Sequence, residues 1–188
     1  MKQKHLFLTV MAILAVMLVL PFGMVQAQDD CEFAEETIRL GGIAPLSAPG
    51  AVAGGVQMSW AFKAATADIN ADCGVEIDGV NYRVEVIVVD SEGLPDRAQA
   101  VTERLIFDND IHGLVGVYHS AVGLATYPIA QTNEIPTVYS EPWNDNVTAN
   151  GIIEYDGRAP RFETDGIDYI FRIAPASFMT SAVSIDWL

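Results

Sequence analysis

The most obvious candidates for chemistry in this chain are a histidine and a serine that stand side by side, His119 and Ser120. A base beside a hydroxyl can activate a nucleophile. Adjacent side chains usually point apart, however, and no acid can be named that would orient His119. The sequence also lacks the Gly-x-Ser-x-Gly, Gly-Lys-Ser/Thr and Gly-x-Gly-x-x-Gly patterns that place a hydrolase serine, a phosphate or a dinucleotide. We therefore expect a binding protein without a cofactor rather than an enzyme.

Ser120 has a second possible role, at the start of a helix. Residues 121–133 are predicted to form a helix, and serine is a favoured N-cap residue. The first-turn N–H groups and the helix dipole attract anions. Tyr118, His119, Ser120 and Ala121 therefore form one candidate ligand-binding loop, and a plain N-cap is the alternative reading of Ser120.

Two more loops carry candidate ligand contacts. Ser47 lies in a loop rich in Pro, Gly and Ala (residues 44–55), where its hydroxyl can cap a helix or contact a ligand. Trp143 follows the fourth predicted strand, where its ring can stack on a ligand or pack as an ordinary aromatic side chain. The acidic residues that follow lack the spacing of a calcium loop, and no metal site is predicted.

The elements that must position these loops alternate between strand and helix. Strands are predicted at residues 37–43, 82–89, 112–117, 136–139 and 169–173. Helices are predicted at residues 56–70, 96–107, 121–133 and from 177 onward, and Met58 and Phe62 belong to one apolar stripe of the first helix. A turn is predicted at Asp78-Gly79, and residues 140–166 are expected to be mostly irregular. This alternation predicts an α/β fold with a doubly wound, mostly parallel sheet and helices on both faces. Such sheets bind ligands outside the carboxyl ends of their strands, where the strand order reverses. The loops at 44–55, 90–94, 118–121 and 140–144 are therefore expected at one site.

The N-terminus has the layout of a secretory signal peptide. Two lysines precede an uncharged apolar run over residues 6–20, and small side chains precede a predicted cleavage site after Ala27. A single membrane anchor is the alternative, but the run is short for a span of about 20 residues. We expect residues 1–27 to be removed, residues 28–36 to form an acidic leader, and the protein to be periplasmic or secreted.

The charge and the cysteines agree with an exported protein. The formal net charge is −15 at pH 7 and becomes about −17 without residues 1–27. Nucleic acid and anionic membrane surfaces repel such a protein, so neither is an expected partner. Cys31 and Cys73 are an even pair in an oxidising compartment, and the first helix should end near the start of the first strand. A disulfide between them is predicted, with two free thiols as the alternative.

Several stretches, taken in their order and spacing, resemble the type I periplasmic binding proteins of branched-chain amino acid and amide ABC transporters. The stretches that carry the resemblance are Ile38–Ser47, Ala67–Asn70, Val89–Ser91, Arg97–Ile106, Gly113–Ser120, Ile135–Ser140 and Phe171–Pro175. The resemblance implies a two-lobed clamshell that closes on a small ligand and delivers it to a membrane permease. Because members of the family are substantially longer, it also implies that residues 37–188 are an N-terminal lobe whose second lobe is absent.

The resemblance also assigns roles to single residues. It implies that Ser120 helps to hold a ligand carboxylate and that Asn144 lies near the head group of an amino acid. Ala53 stands where some members have a ligand-contacting tyrosine, and the loop at 140–144 is bulkier and more acidic than usual. The expected ligand is thus an amino acid, an amide or a related small polar molecule. A ligand-sensing receptor ectodomain with the same fold is the alternative function.

Overall fold

The structure is a computed structural model that describes residues 31–149, 151–155 and 160–186. The predicted signal peptide, its cleavage site after Ala27 and residues 28–30 of the predicted leader lie outside these residues. Within the described part of the chain, no helix has the length and apolar character needed to cross a membrane.

Strands and helices alternate along the chain, as the sequence predicts. The strands are β1 Phe33–Ala44, β2 Val75–Ile77, β3 Val80–Asp90, β4 Gly113–Gly116, β5 Thr137–Tyr139, β6 Ile152–Tyr155, β7 Pro160–Phe162 and β8 Ile170–Arg172. The helices are α1 Val52–Ala71, α2 Pro95–Phe107, α3 Ser120–Thr132 and α4 Ser177–Asp186. A short 3-10 turn at Asp145–Val147 and the β6–β7 hairpin lie in the segment after β5, which was expected to be mostly irregular.

Six strands form one sheet in the order β2-β3-β1-β4-β5-β8. All neighbouring pairs are parallel except β2–β3, an antiparallel hairpin joined by the predicted turn at Asp78-Gly79. The chain moves from β1 outward to β3 and then back past β1 to β4, so the strand order reverses beside β1. The predicted doubly wound, mostly parallel sheet is confirmed.

Two adjacent glycines of β1 show that helices cover both faces of the sheet. A side chain on Gly41 would contact Leu105 of α2 and Ile111, whereas one on Gly42 would contact Phe62 of α1. Because successive strand residues face opposite sides, α1 and α2 lie on opposite faces. Helix α3 packs beside α2. The core between these two helices and the sheet is built from apolar side chains that include Ile43, Leu105, Leu114, Val122, Tyr139 and Ile170.

The first strand begins earlier than predicted. Phe33–Glu36 belong to β1, so the predicted leader over residues 28–36 is corrected at its C-terminal end. The guanidinium carbon of Arg83 lies 4.2 Å from the centre of the Phe33 ring. The predicted Cys31–Cys73 disulfide is present and ties the start of β1 to the end of α1. This crosslink and the aromatic contact explain why a polar, acidic segment is held as strand.

The last turn of α1 is also tied to β3. The side-chain amide of Asn70 donates to the carbonyl of Val84 and accepts from the Val84 N–H, each at 2.8 Å. The amide thus pairs with one residue of the strand in the way that a neighbouring strand would. These two bonds and the disulfide fix the C-terminal end of α1, while its N-terminal end faces the carboxyl ends of the strands.

Candidate functional site

A cleft of about 640 Å³ lies beside α1 at the carboxyl ends of β4, β5 and β8. One wall is the first half of α1, which contributes Ala53, Gly54, Gln57, Met58, Ala61 and Phe62. The other wall consists of residues that follow the strands, namely Tyr118, Ser140, Glu141 and Ile173. This is the part of a doubly wound sheet where ligands bind, close to the reversal of strand order.

The first turn of α1 forms part of one cleft wall, and its Val52 N–H donates to the carbonyl of Gly50 at 2.9 Å. No side chain caps this helix, whose N-cap residue is Ala51, and its first turn contains no acidic residue. A side chain on Gly54 would clash with the Tyr118 ring, so only glycine lets the ring lie this close to the helix. Small residues at Ala53 and Gly54 therefore place backbone N–H groups, rather than side chains, at the cleft wall.

The loop after β4 brings two aromatic rings together in front of α3. The rings of Tyr118 and His119 meet edge to face, with their centres 5.1 Å apart. His119 Nδ1 is buried and has no hydrogen-bond partner within the described chain. Helix α3 begins at Ser120, and its N-cap residue is His119, which makes no side-chain cap. The prediction that Ser120 is the N-cap is therefore corrected by one residue.

The hydroxyl of Ser120 faces the loop after β5 instead of capping α3. Its oxygen accepts hydrogen bonds from the backbone N–H groups of Trp143 and Asn144, both at 3.2 Å. Both residues were predicted as ligand contacts, Trp143 from its place after the fourth predicted strand and Asn144 from the family resemblance. The structure brings both residues together with Ser120 through these two hydrogen bonds. Trp143 is 48 % exposed.

The same loop is held from its other side by β8 and α4. Arg172 Nη1 donates to the carbonyls of Asn144 at 2.8 Å and Pro142 at 3.3 Å. The Ser177 hydroxyl donates to the carbonyl of Trp143 at 2.7 Å. Burial lowers the pKa of Arg172, and the nearby negative charge of Asp145 only partly opposes this shift. These donors fix the backbone that follows Ser140 and Glu141.

Ser47 contacts the end of β3. Its hydroxyl donates to Oδ2 of Asp90 at 2.5 Å, while Oδ1 accepts from the Leu46 N–H at 2.7 Å and the Glu92 N–H at 2.8 Å. Burial raises the pKa of Asp90, but the hydrogen bond from Ser47 and those from the backbone outweigh it and leave the pKa lowered. This network shapes the loop between β1 and α1.

Ser140 and Glu141 are the polar residues at the strand ends of the cleft. The Ser140 N–H donates to the carbonyl of Gly116 at 2.9 Å, which fixes the serine at the end of β4. Its Oγ is buried and lacks a hydrogen-bond partner in the residues that the structure describes. Glu141 is exposed and is the one charged residue on the cleft wall within those same residues.

Of the predicted ligand-binding residues, Tyr118 lines the cleft. The others lie in neighbouring loops or in the first turn of α3 and do not line it, namely Ser47, His119, Ser120, Ala121, Trp143 and Asn144. Sequence reasoning missed most of the α1 wall because the spacing of Met58 and Phe62 marked them as core. Across residues 31–149, 151–155 and 160–186, no group of three His, Cys, Asp or Glu side chains is arranged to hold a metal ion.

Comparison with known proteins identifies the family. The model of the periplasmic binding protein family matches residues 37–187, so the chain belongs to this family, as its resemblance predicted. Similar solved structures include solute-binding proteins of branched-chain amino acid ABC transporters. The relatives are transport solute-binding proteins rather than enzymes, and the family works in the periplasm or elsewhere outside the cytoplasm. No curated protein sequence matches the chain.

Three solved structures illustrate the likeness. LivJ from Streptococcus pneumoniae in complex with isoleucine is 23 % identical, with a TM-score of 0.60 over 75 % of this chain and 34 % of that protein. An ABC transporter substrate-binding protein from Sphaerobacter thermophilus is 25 % identical, with a TM-score of 0.58 over 81 % of this chain and 36 % of that protein. A solute-binding protein from Rhodopseudomonas palustris HaA2 in complex with p-hydroxybenzoic acid is 20 % identical. Its TM-score is 0.60 over 81 % of this chain and 35 % of that protein. The chain thus spans about a third of the length of these proteins.

Proposed function

We propose that this chain is the solute-binding component of an ABC transporter and that it captures a small ligand bearing a carboxylate in the cleft beside α1. The first turn of that helix carries the proposal. Ala53 and Gly54 line the cleft, no side chain caps the helix, and the first turn contains no acidic residue. Open N–H groups and the helix dipole together make a binding site for an anion.

The chemistry of the remaining cleft supports this choice. The cleft wall contains no lysine, arginine or histidine within the described chain, so the end of α1 supplies its positive potential. Isoleucine and p-hydroxybenzoic acid, which occupy two of the similar structures, differ in shape but share a carboxyl group. Met58, Phe62 and Ile173 provide an apolar surface for the rest of such a ligand.

In this proposal the cleft is one half of a binding site. Residues 1–27 direct export, residues 28–30 precede the folded part, and the residues from Cys31 onward form one lobe of a clamshell. Tyr118 contacts the ligand, and the other predicted site residues belong to the loops that shape the cleft. Closure of a second lobe over the ligand completes the site, and a membrane permease receives the ligand.

Paired ligands test the role of the carboxylate. Saturation-transfer difference NMR on the purified protein detects binding even at millimolar dissociation constants. Isoleucine is compared with isoleucinol, and 4-hydroxybenzoate with 4-hydroxybenzyl alcohol, so that each pair differs in the carboxylate. We expect at least one acid to bind about tenfold more tightly than its alcohol. The proposal fails if neither acid binds or if the alcohols bind equally well.

A substitution in α1 tests the location of the site. Ala53→Asp places a negative charge in the exposed first turn, where it stabilises the helix by about 0.3–1 kcal/mol and repels an anionic ligand. We expect the acid ligands to bind at least about tenfold more weakly, whereas Ala53→Asn, of the same size and uncharged, retains binding. Equal affinities of the two variants would place the carboxylate elsewhere.

A further inference from the structure

We infer that two copies of this chain associate through the open edge of β3, as an antiparallel pair of strands related by a two-fold axis at Val88. The inference rests on the sheet and on α2, and it is independent of any ligand in the cleft beside α1. The occupant of the edge is a second copy because the surface along the edge is complementary to itself in shape and in charge.

Most of β3 has a neighbouring strand on one side only. Strand β2 pairs with Val80–Tyr82, and beyond this hairpin no other strand of the described chain lies on that side. The Asn70 amide reaches both backbone groups of Val84 from the open side, so these groups point away from β1. Alternate residues of a strand share this direction. The further residues of β3 that present their N–H and C=O groups at the edge are therefore Val86, Val88 and Asp90.

One antiparallel register fits this edge. An open edge is a template for another strand, and the Asn70 amide blocks it at Val84. With Val88 on the two-fold axis, Val86 of each copy pairs with Asp90 of the second copy, where β3 ends. All three free residues then form backbone hydrogen bonds, and the Asn70 amide keeps its place because the strand of the second copy has already ended. The pairing uses each edge once and closes on itself.

The side chains between the paired residues are apolar. Ile87 and Val89 alternate with the residues that carry the free backbone groups, and both are half-buried. The register places Ile87 of each copy beside Val89 of the second copy. These are positions without mutual hydrogen bonds, where opposite Cα atoms of an antiparallel pair are about 4.5 Å apart. The association therefore buries apolar side chains as well as pairing backbone groups.

Helix α2 supplies the complementary charges. A groove of about 390 Å³ lies between α2 and the end of β3. Its helical wall carries Arg97, Val101, Arg104 and Asp108, whose spacings of four, three and four residues place them on one face. Neither ion pair found among the described residues involves Arg104 or Asp108. Arg97 Nε lies 3.4 Å from the carboxylate of Glu92, and the rest of its guanidinium remains available.

The two-fold axis passes the middle of this charged stripe. Leu105 of α2 lies against Gly41 of β1, and Gly41 pairs with Ile87. The axis at Val88 is one residue further along β3. It is therefore level with the part of α2 just before Leu105, midway along the stripe.

Rotation about that axis brings opposite charges together. Arg97 and Asp108 are eleven residues apart, which is about 16.5 Å of helix, and the second copy presents them in the reverse order. A strand added to β3 lies about 4.8 Å away, so the two α2 helices come side by side. Arg97 of each copy is then level with Asp108 of the second copy, and Arg104 is close to the same carboxylate. A stripe that is positive at one end and negative at the other fits its own reverse better than a uniformly charged peptide.

Sedimentation velocity on the purified protein tests the association. The net negative charge of each copy opposes it, so the measurement uses about 0.15 M salt, in which charges more than about 8 Å apart are largely screened. We expect a monomer–dimer equilibrium with a dissociation constant of about 100 μM or tighter. A protein that stays monomeric up to about 1 mM would overturn the inference.

Charge reversal tests the pairing of α2 with its copy. We expect Arg97→Asp and Asp108→Arg each to weaken the dimer at least about tenfold, and the double variant to recover most of the loss. Asp96→Arg is the matched control, because it changes the net charge as much as Asp108→Arg does and lies on α2 outside the groove. Equal effects of Asp108→Arg and Asp96→Arg, or a double variant as weak as the single ones, would contradict the inference.

A cysteine on the axis tests the register. Opposite residues of a hydrogen-bonded antiparallel pair have Cα atoms about 5.5 Å apart, a separation that a disulfide spans. We expect Val88→Cys to form a covalent dimer under mild oxidation. Val138→Cys, at an exposed position of β5 away from the edge, should stay monomeric. Crosslinking of Val88→Cys that is no faster than that of Val138→Cys would overturn the proposed register.

Discussion

The hydroxyl of Ser47 donates to Oδ2 of Asp90 at 2.5 Å, and this bond joins the loop after β1 to the end of β3. The other carboxylate oxygen accepts from the backbone N–H groups of Leu46 and Glu92. One carboxylate thus satisfies three donors from two loops. Ser47 was predicted as a ligand contact, and the structure gives its hydroxyl a partner within the protein.

This network predicts a pH-dependent contribution to stability. Burial raises the pKa of Asp90, but its hydrogen bonds lower it overall, below its ordinary value of 3.8. A carboxyl whose pKa is lowered by folding stabilises the protein above its unfolded-state pKa and loses that effect as the pH falls through the folded-state pKa. We expect Asp90→Asn to lower the free energy of unfolding by about 1–2 kcal/mol at pH 7. The difference should shrink steadily below pH ~4.

Urea unfolding between pH 7 and pH 2.5 measures this difference. Asp68→Asn is the matched control, because Asp68 is an exposed residue of α1 and is expected to have little effect at any pH. A difference between wild type and Asp90→Asn that stays constant over this range would show that the carboxylate charge is not involved.

Ser120 is predicted to stabilise the loop after β5 rather than to hold a ligand directly. Ser120→Ala leaves the N–H groups of Trp143 and Asn144 without the acceptor that they use. We expect a loss of about 1–3 kcal/mol in the free energy of unfolding and faster hydrogen exchange at these two amides. Ser120→Thr, which keeps the hydroxyl, should behave like the wild type. Unchanged exchange at both amides in Ser120→Ala would contradict this role.

The disulfide is predicted to hold the start of β1 in the sheet. Cys31 and Cys73 are separated by 42 residues, and a crosslink closing a loop of this size stabilises a protein by about 2–4 kcal/mol. We expect the double variant Cys31→Ser/Cys73→Ser to lose that amount in urea unfolding and to exchange the amides of residues 33–36 faster. A reducing agent should lower the stability of the wild type and leave the double variant unchanged. Equal stability of wild type and double variant under oxidising conditions would contradict the prediction.

The alternation of strands and helices was predictable because long apolar runs and helical spacing leave few alternatives. The apolar run at 86–89 forms half-buried strand within β3, and a turn at Asp78-Gly79 joins β2 to β3. The short strand β2 was missed because its three residues are too few to show a strand pattern and all of them are exposed. The N-terminal extension of β1 was missed because it is acidic and depends on contacts made by Phe33 and Cys31.

The site was only partly predictable. Ligands bind outside the carboxyl ends of parallel strands, and this rule pointed to Tyr118 and to the loop that begins at Ser140. Both line the cleft. Helical spacing assigned Met58 and Phe62 to the core, because one apolar stripe of α1 serves both the sheet and the cleft. The bonds of Ser120 join segments 23 and 24 residues apart, and no local pattern in the sequence reports such a pairing.

The two hydrogen bonds between Asn70 and Val84 have a consequence for self-association. Beyond the short hairpin with β2, β3 is the outermost strand of the sheet, and an open edge is a template on which another chain can add a strand. At Val84 both backbone groups are already occupied by the Asn70 amide. One asparagine therefore blocks this position of the edge to an added strand and discourages edge-to-edge aggregation.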